Sequence, residues 1–363
     1  MGKMRKRNIM GISEDVKMRV GLIGSPGQFD YNKYSSRERY MPELFKNLKR
    51  LNPKTDKIEI KQMPFIGRAF SISIKLLFED VSNYDIIHNI SQDPIFLLKK
   101  KNTKLITTVH LSPGQLSVQS KNLKHILWLN SVIKLSYLTI KTSDYIIANS
   151  TQTKDDLINF LKIDKDKIFV TDLGIDKRYT KRIKNIYKRQ NMHVGYIGAL
   201  VPGKQVDFGI KAINYLNDKN VIFNVWGARF DKRYYKYLIK LSSNNRNIKF
   251  EGYAPEEKLI DIYDNFNVFI FPSVYESFGL PILEAQSRGL PVIIYKYGKI
   301  PKEVRKYCFE AESSEHMAQM IADLKENGYN EKLRKKATEY AQSFTWEKCA
   351  LNTFKVYKKV LSL

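Results

Sequence analysis

Two series of short apolar runs, each run followed by a helical stretch, constrain the fold of this chain more than any other feature. The first series is Arg19–Gly24, Asp85–Asn89, Lys104–His110, Asp144–Asn149 and Lys167–Thr171. The second is Val194–Gly198, Val221–Gly227, Ile248–Gly252, Val268–Pro272 and Val292–Tyr295. A run such as Val268-Phe-Ile-Phe271 shows no polar alternation, as expected of a strand covered on both faces. Helical spacing of apolar residues fills intervals such as Ser36–Leu51 and Asn122–Lys141. Strands alternating with helices indicate parallel sheets with crossover helices. Lys177–Gln190, between the series, is charged, lacks an apolar period and reads as a linker. The 363 residues exceed one ordinary core. The expectation is two Rossmann-like α/β domains facing each other across a cleft, over residues 1–180 and 181–345. Residues 1–17 read as a basic, disordered leader, and 346–363 as a helix returning toward the first domain.

Composition narrows the partners. Hydrophobic residues form 43% of the chain, which excludes a disordered protein. Two cysteines, Cys308 and Cys349, cannot build a disulfide framework or a Cys-rich metal site. The charge of +25 favours anionic partners: nucleic acid, an anionic membrane face or phosphorylated small molecules. No zinc pattern, RNA-binding aromatic signature or helix-turn-helix supports nucleic acid, which remains the rival from another class. The basic run Lys99–Lys104 reads as a solvated face. The helix Asn122–Lys141, with Trp128 among leucines and isoleucines, fits a membrane surface but reads first as a core helix with an exposed lysine face. The N-terminus lacks a signal-peptide core, and no uncharged apolar run would span a bilayer. The expected location is therefore cytoplasmic, with contact at the inner membrane surface as an option.

The chemistry concentrates in Pro272-Ser-Val-Tyr-Glu276-Ser-Phe-Gly-Leu-Pro-Ile-Leu-Glu284. A strand ends at Pro272, a loop follows, and Pro281 opens a short helix that Gly289 stops. The amides of Ser277, Phe278, Gly279 and Leu280 stand at a helix N-terminus, where backbone N–H groups and the helix dipole favour phosphate. Gly279 allows close approach of the backbone to a ligand. Glu276 and Glu284 can both face the cleft, and carboxylates accept hydrogen bonds strongly from sugar hydroxyls. A single glutamate there would be read as a helix-dipole residue; two of them around Phe-Gly-Leu-Pro would not.

This segment resembles the signature of the large family 4 of retaining glycosyltransferases, which share the two-Rossmann GT-B fold. Asp85-Ile-Ile-His88, Thr107-Thr-Val-His110, Ile147-Ala-Asn-Ser150, Leu173-Gly-Ile-Asp176, Val194-Gly-Tyr-Ile-Gly198, Gly203-Lys204 and Trp346–Tyr357 follow in the family's order. The resemblance implies a nucleotide-sugar donor of UDP or GDP type and a glycan or lipid-linked acceptor. It implies that Glu276 contacts the donor sugar, Glu284 the ribose, and the amides of Phe278, Gly279 and Leu280 the sugar and diphosphate oxygens. Lys204 matches a lysine that neutralises the diphosphate, and His110 a histidine near the reacting sugar. The loop from Gly24 to Gly27 would lie near the donor phosphates or the acceptor. Ala199, after Gly198, stands where the family carries an arginine on the diphosphate. Arg229, after Trp226-Gly-Ala228, is the candidate substitute. The resemblance implies front-face attack with retention, the leaving phosphate taking the acceptor's proton, and no required metal or cofactor. Asp164-Lys-Asp166 reads as a capped, solvated turn. A nucleotide-sugar epimerase and a degenerate, non-catalytic relative are the other readings of the same fold.

Overall fold

The first strand, β1 (Val20–Gly24), is buried along its whole length, as its Val-Gly-Leu-Ile-Gly sequence requires. The computed structural model describes residues 18–24, 36–52, 54–59, 80–92, 95, 102–116, 134–180 and 191–362. The expected leader, Gly27, half of the basic run, most of the expected linker and most of the Trp128 helix lie outside the described residues.

Among the described residues β1 joins β2 (Thr55–Glu59), β3 (Ile86–Asn89), β4 (Lys104–Val109), β5 (Tyr145–Ala148) and β6 (Ile168–Val170) in the order β2-β1-β3-β4-β5-β6. A second sheet holds β7 (Met192–Ile197), β8 (Val221–Trp226), β9 (Ile248–Gly252), β10 (Val268–Phe271), β11 (Val292–Tyr295) and β12 (Phe309–Ala311) in the order β12-β11-β10-β7-β8-β9. Every pairing is parallel. The strand order reverses at β7 and β10, where an open sheet leaves a crevice beyond the strand ends. β10 is buried at all four positions, and Phe269 stacks against Phe266 and Phe271.

Each sheet has one strand that its sequence does not announce. Thr55-Asp-Lys-Ile-Glu59 is polar at an edge, and Phe309-Glu-Ala311 is only three residues long. An edge strand needs apolar residues on fewer faces than a central one, so its pattern is weak.

The chain crosses from the first sheet to the second along residues 171–180 and returns at 343–346. The two crossings lie side by side: Ile175 bridges Thr345, and its amide donates to the Phe344 carbonyl at 2.9 Å. A Cβ at Gly174 would lie 2.2 Å from the Trp346 nitrogen, so only glycine permits this contact. The helix Trp346–Ser362 then packs on helix Ser36–Leu51 of the first domain. There Tyr357 Oη meets His88 Nδ1 at 2.6 Å, and His88 Nε2 meets Thr108 Oγ1 at 2.7 Å. Burial, with His110 nearby, holds the His88 imidazole down to about 3, so it is a neutral structural group. Among the described residues no helix is long and apolar enough to cross a membrane.

Asp172 sits on the outward crossing. Burial, reinforced by Glu303 and opposed by Lys348, raises its carboxyl to about 6. A raised folded-state value favours the protonated form, so stability is lost as pH rises from about 4 to about 6 and stays lost above that. Asp172→Asn is expected to stabilise the protein at pH 7.5 by about 1 kcal/mol, discounted for partial exposure, with the gain gone by about pH 4. Calorimetric melting of both proteins at the two pH values measures this; an equal gain at both would refute the assignment.

Candidate functional site

The ends of β7 and β10 supply most of the site. After β7, Gly198 to Leu200 leads into a 3-10 turn, Pro202–Lys204. After β10, the loop 273–279 leads into helix Leu280–Ser287. The loop is pinned at three points: Val274 N donates to Gly203 O at 3.0 Å, Lys299 N to Val274 O at 2.7 Å, and Glu276 N to Lys299 O at 2.9 Å. Gly279 has φ +99°, a left-handed conformation that a side chain would strain. Gly227, after β8, approaches the loop after β7 so closely that a Cβ would lie 1.9 Å from Gly198 O. These turns surround a cavity of about 590 Å³ that opens between the domains.

Two buried carboxylates reach this cavity. Glu276 is 6% exposed and ion-paired with Lys204, whose ammonium also lies 5.3 Å from the Phe271 ring centre. Glu284 is 2% exposed. Its Oε2 accepts from Tyr263 Oη at 2.9 Å, and its Oε1 lies 2.7 Å from Arg39 Nη1. Buried charge is costly unless partnered, and both glutamates are. Burial, then the Glu284 charge, pushes the Tyr263 phenol well above its ordinary value, so it stays a hydrogen-bond donor. Burial works against the Arg39 charge, but Glu284, Tyr179 and Glu256 outweigh it and raise its value.

The first domain closes the other side. His110, just after β4, lines the cavity and donates through Nε2 to the Ile90 carbonyl at 2.9 Å, which fixes the tautomer and the ring. Its ring meets Tyr40 edge-on at 4.7 Å. Its own carbonyl accepts from Ser277 Oγ at 2.6 Å, and Ser150 Oγ donates to the Ser277 carbonyl at 2.5 Å. The Tyr275 phenol bonds to Asp156, and Ser112 Oγ donates to it at 3.0 Å. The loop carrying Glu276 is thus tied to the first domain on both sides of that glutamate.

The cavity gathers Glu276, Glu284, Lys204, His110, Gly198, Ser277, Phe278, Gly279 and Leu280, all singled out in the sequence. It does not gather Arg229. That guanidinium is exposed and lies 4.3 Å over the Tyr235 ring, while its neighbours Ala228 and Phe230 line the cavity. The strand-end position that suggested Arg229 is right for the chain and wrong for the side chain, which stacks on the following helix. Gly24 ends β1, buried in the sheet, and is not on the cavity wall. Asp164 Oδ1 accepts from the Asp166 amide, capping a turn. The residues missed are Arg39, Glu256 and Tyr263. Arg39 sits in Ser36-Arg-Glu-Arg-Tyr40, where charge reads as a solvated helix face.

Two family models cover this architecture in turn. Residues 34–179 match Glycosyltransferase Family 4, and 176–344 match Glycosyl transferases group 1. The chain is 25% identical over 236 residues to the O-antigen chain mannosyltransferase B of Escherichia coli, covering 61% of this chain and 62% of that one. It is 26% identical over 247 residues to a D-inositol 3-phosphate glycosyltransferase of Corynebacterium aurimucosum, covering 62% and 59%. The chain thus spans about three fifths of the length of these relatives. A solved glycosyltransferase of Rickettsia africae superposes with a TM-score of 0.68 at 19% identity, over 95% of this chain and 99% of that one. The Anabaena protein HepE, solved with UDP and glucose, gives 0.67 at 16% identity, over 95% and 100%. The likeness to these two structures concerns the fold, which is GT-B. With both family models matching in sequence order, the chain belongs to the family 4, group 1 glycosyltransferases.

Proposed function

We propose that this protein transfers a sugar, with retention of anomeric configuration, from a nucleotide-sugar donor to a hydroxyl of a glycan or lipid-linked acceptor. The observation that carries this reading is the cavity itself. Two buried carboxylates suited to hydroxyls, a lysine suited to phosphate and the turn before helix Leu280–Ser287 share one space between two domains. The first turn of a helix leaves amides without intrahelical acceptors, which suits diphosphate oxygens. Glu276 would accept hydrogen bonds from the donor sugar and Glu284 from the ribose. Lys204 would exchange Glu276 for the diphosphate and stabilise the charge that develops as the glycosidic bond breaks. His110, with Nε2 committed to Ile90, would present its ring to the reacting sugar as a fixed wall. The leaving phosphate oxygen would take the acceptor's proton, and no metal enters these steps. One relative is a mannosyltransferase, and a fold neighbour was solved with UDP-glucose. Both are in keeping with a nucleoside diphosphate leaving group.

A panel of UDP-, GDP- and ADP-sugars tests this by thermal shift, because a ligand held at 100 times its Kd adds about 2.7 kcal/mol of apparent stability. One base class should raise the melting temperature. Release of that nucleotide should then require an acceptor hydroxyl and persist with EDTA, and the product should keep the donor's anomeric configuration by NMR. Nucleotide release without acceptor, or duplex DNA binding with a steep salt slope and no nucleotide-sugar binding, would overturn the proposal.

A further inference from the structure

The cavity wall places three carboxylates, Glu256, Glu276 and Glu284, against two cations, Lys204 and Arg39, which are the lysine and arginine among its described lining residues. A nucleoside diphosphate would bring at least two negative charges into this carboxylate-rich space, so both cations matter to its binding. In the structure each cation rests on a carboxylate: Lys204 on Glu276, and Arg39 Nη1 on Glu284 at 2.7 Å with Glu256 at 3.6 Å. A nucleotide sugar carries the complementary pair of groups, hydroxyls for the carboxylates and phosphates for the cations.

We propose that Arg39, reaching across from the first domain, is a donor-binding residue whose guanidinium moves from Glu284 to the diphosphate as the ribose hydroxyls take the carboxylate. This rests on the nucleotide-sugar reading above and adds a residue from the opposite domain to it. Three observations carry it beyond the ion pair. First, the Arg39 Nε is buried and has no hydrogen-bond partner among the described residues, so one arm of the fork remains to be used. Guanidinium forks match phosphate oxygens in bidentate fashion, which a single Nη contact to a carboxylate does not exploit. Second, Glu284 keeps Tyr263 on its Oε2 when Arg39 leaves, so the exchange does not strand a buried carboxylate. Third, the base of Arg39 is held in place. The next residue, Tyr40, is fully buried against His110 and Trp346, so the arginine is presented at the cleft by a packed helix. Because that helix belongs to the first domain, the diphosphate subsite is complete only when the two domains face each other as they do here.

Calorimetric titration of the full-length protein with UDP, GDP and ADP, and with the parent nucleosides, tests this. For the diphosphate that binds the wild type, Arg39→Ala should weaken binding about 10- to 100-fold, the range of one charged hydrogen-bonded contact. The nucleoside should bind within threefold of wild type, and the salt dependence of the diphosphate should flatten. Arg39→Lys keeps the charge without the fork and covers the case in which the alanine variant does not fold. It should lose about three- to tenfold on the diphosphate alone. Adding Ala199→Arg to Arg39→Ala, which puts a guanidinium on the cavity wall beside Gly198, should recover part of the loss. Unchanged diphosphate affinity in both Arg39 variants overturns the proposal while leaving the nucleotide-sugar reading intact. Equal losses for nucleoside and diphosphate also overturn it, because Arg39 would then only orient Glu284. A wild type that binds no diphosphate removes both.

Discussion

Glu276→Ala is expected to lower sugar transfer at least a hundredfold while the protein keeps its fold. The carboxylate is buried, faces the cavity and has Lys204 as its ionic partner. Under the proposed function it is the group that meets the donor sugar where positive charge develops. Loss of one preorganised electrostatic contact at such a point costs about 2.7–4 kcal/mol of transition-state stabilisation, or roughly a hundredfold to a thousandfold in rate. The fold should survive because the loop is held by backbone bonds to Gly203 and Lys299 and by Ser277 and Tyr275. None of these uses the Glu276 side chain. Glu276→Gln separates charge from shape. It keeps the hydrogen-bonding reach and should lose nearly as much rate, while Lys204 loses its counter-ion and gains affinity for the diphosphate. The expected signature is a fall in kcat with a donor KM that is unchanged or lower. Turnover within tenfold of wild type in a folded alanine variant would remove Glu276 from the reaction.

The sequence carried the strands that are buried on both faces and the turn chemistry of the site, because both leave local marks. Val268-Phe-Ile-Phe271 is apolar without alternation, and Gly279, Pro281 and Gly289 punctuate the helix that follows. Gly279 and Gly289 do adopt positive φ, and the helix runs from Leu280 to Ser287. The edge strands Thr55–Glu59 and Phe309–Ala311 left no such mark. Arg39 could not be read at all. Its partner Glu284 is 245 positions away, and the packing of the two domains across the cleft brings the two together. Arg229 shows the reverse failure. Its place after β8 is visible in sequence, but the rotamer that stacks it on Tyr235 is decided by the next helix. Local pattern specifies where the chain turns, and tertiary packing decides which charged side chain enters the cavity.

Asp264→Ala is expected to destabilise the second domain by about 3–5 kcal/mol, the cost of leaving a buried charge without its partner. Arg288 has a side chain 1% exposed and Asp264 one 5% exposed. The guanidinium binds the carboxylate through Nε to Oδ1 at 2.8 Å and Nη2 to Oδ2 at 2.9 Å, and donates through Nη1 to the Tyr179 carbonyl at 2.9 Å. This fork joins three pieces of chain: the end of helix Leu259–Asp264, the residue closing helix Leu280–Ser287, and the crossing turn Lys177–Thr180. The first two of those helices carry Tyr263 and Glu284, which bond to each other in the cavity. Denaturant unfolding should show a lower midpoint, and melting should fall by about 10 °C for a domain of this size. The double replacement Asp264→Leu with Arg288→Met should recover most of the loss, since a buried pair exchanged for apolar groups of similar volume is often neutral. Nucleotide affinity distinguishes a general loss from a local one. If the fork also sets the angle between the two helices, the double variant should be stable yet bind the nucleoside more weakly. Stability within 1 kcal/mol of wild type for Asp264→Ala would mean that water reaches Arg288 and that the pair contributes little to the domain.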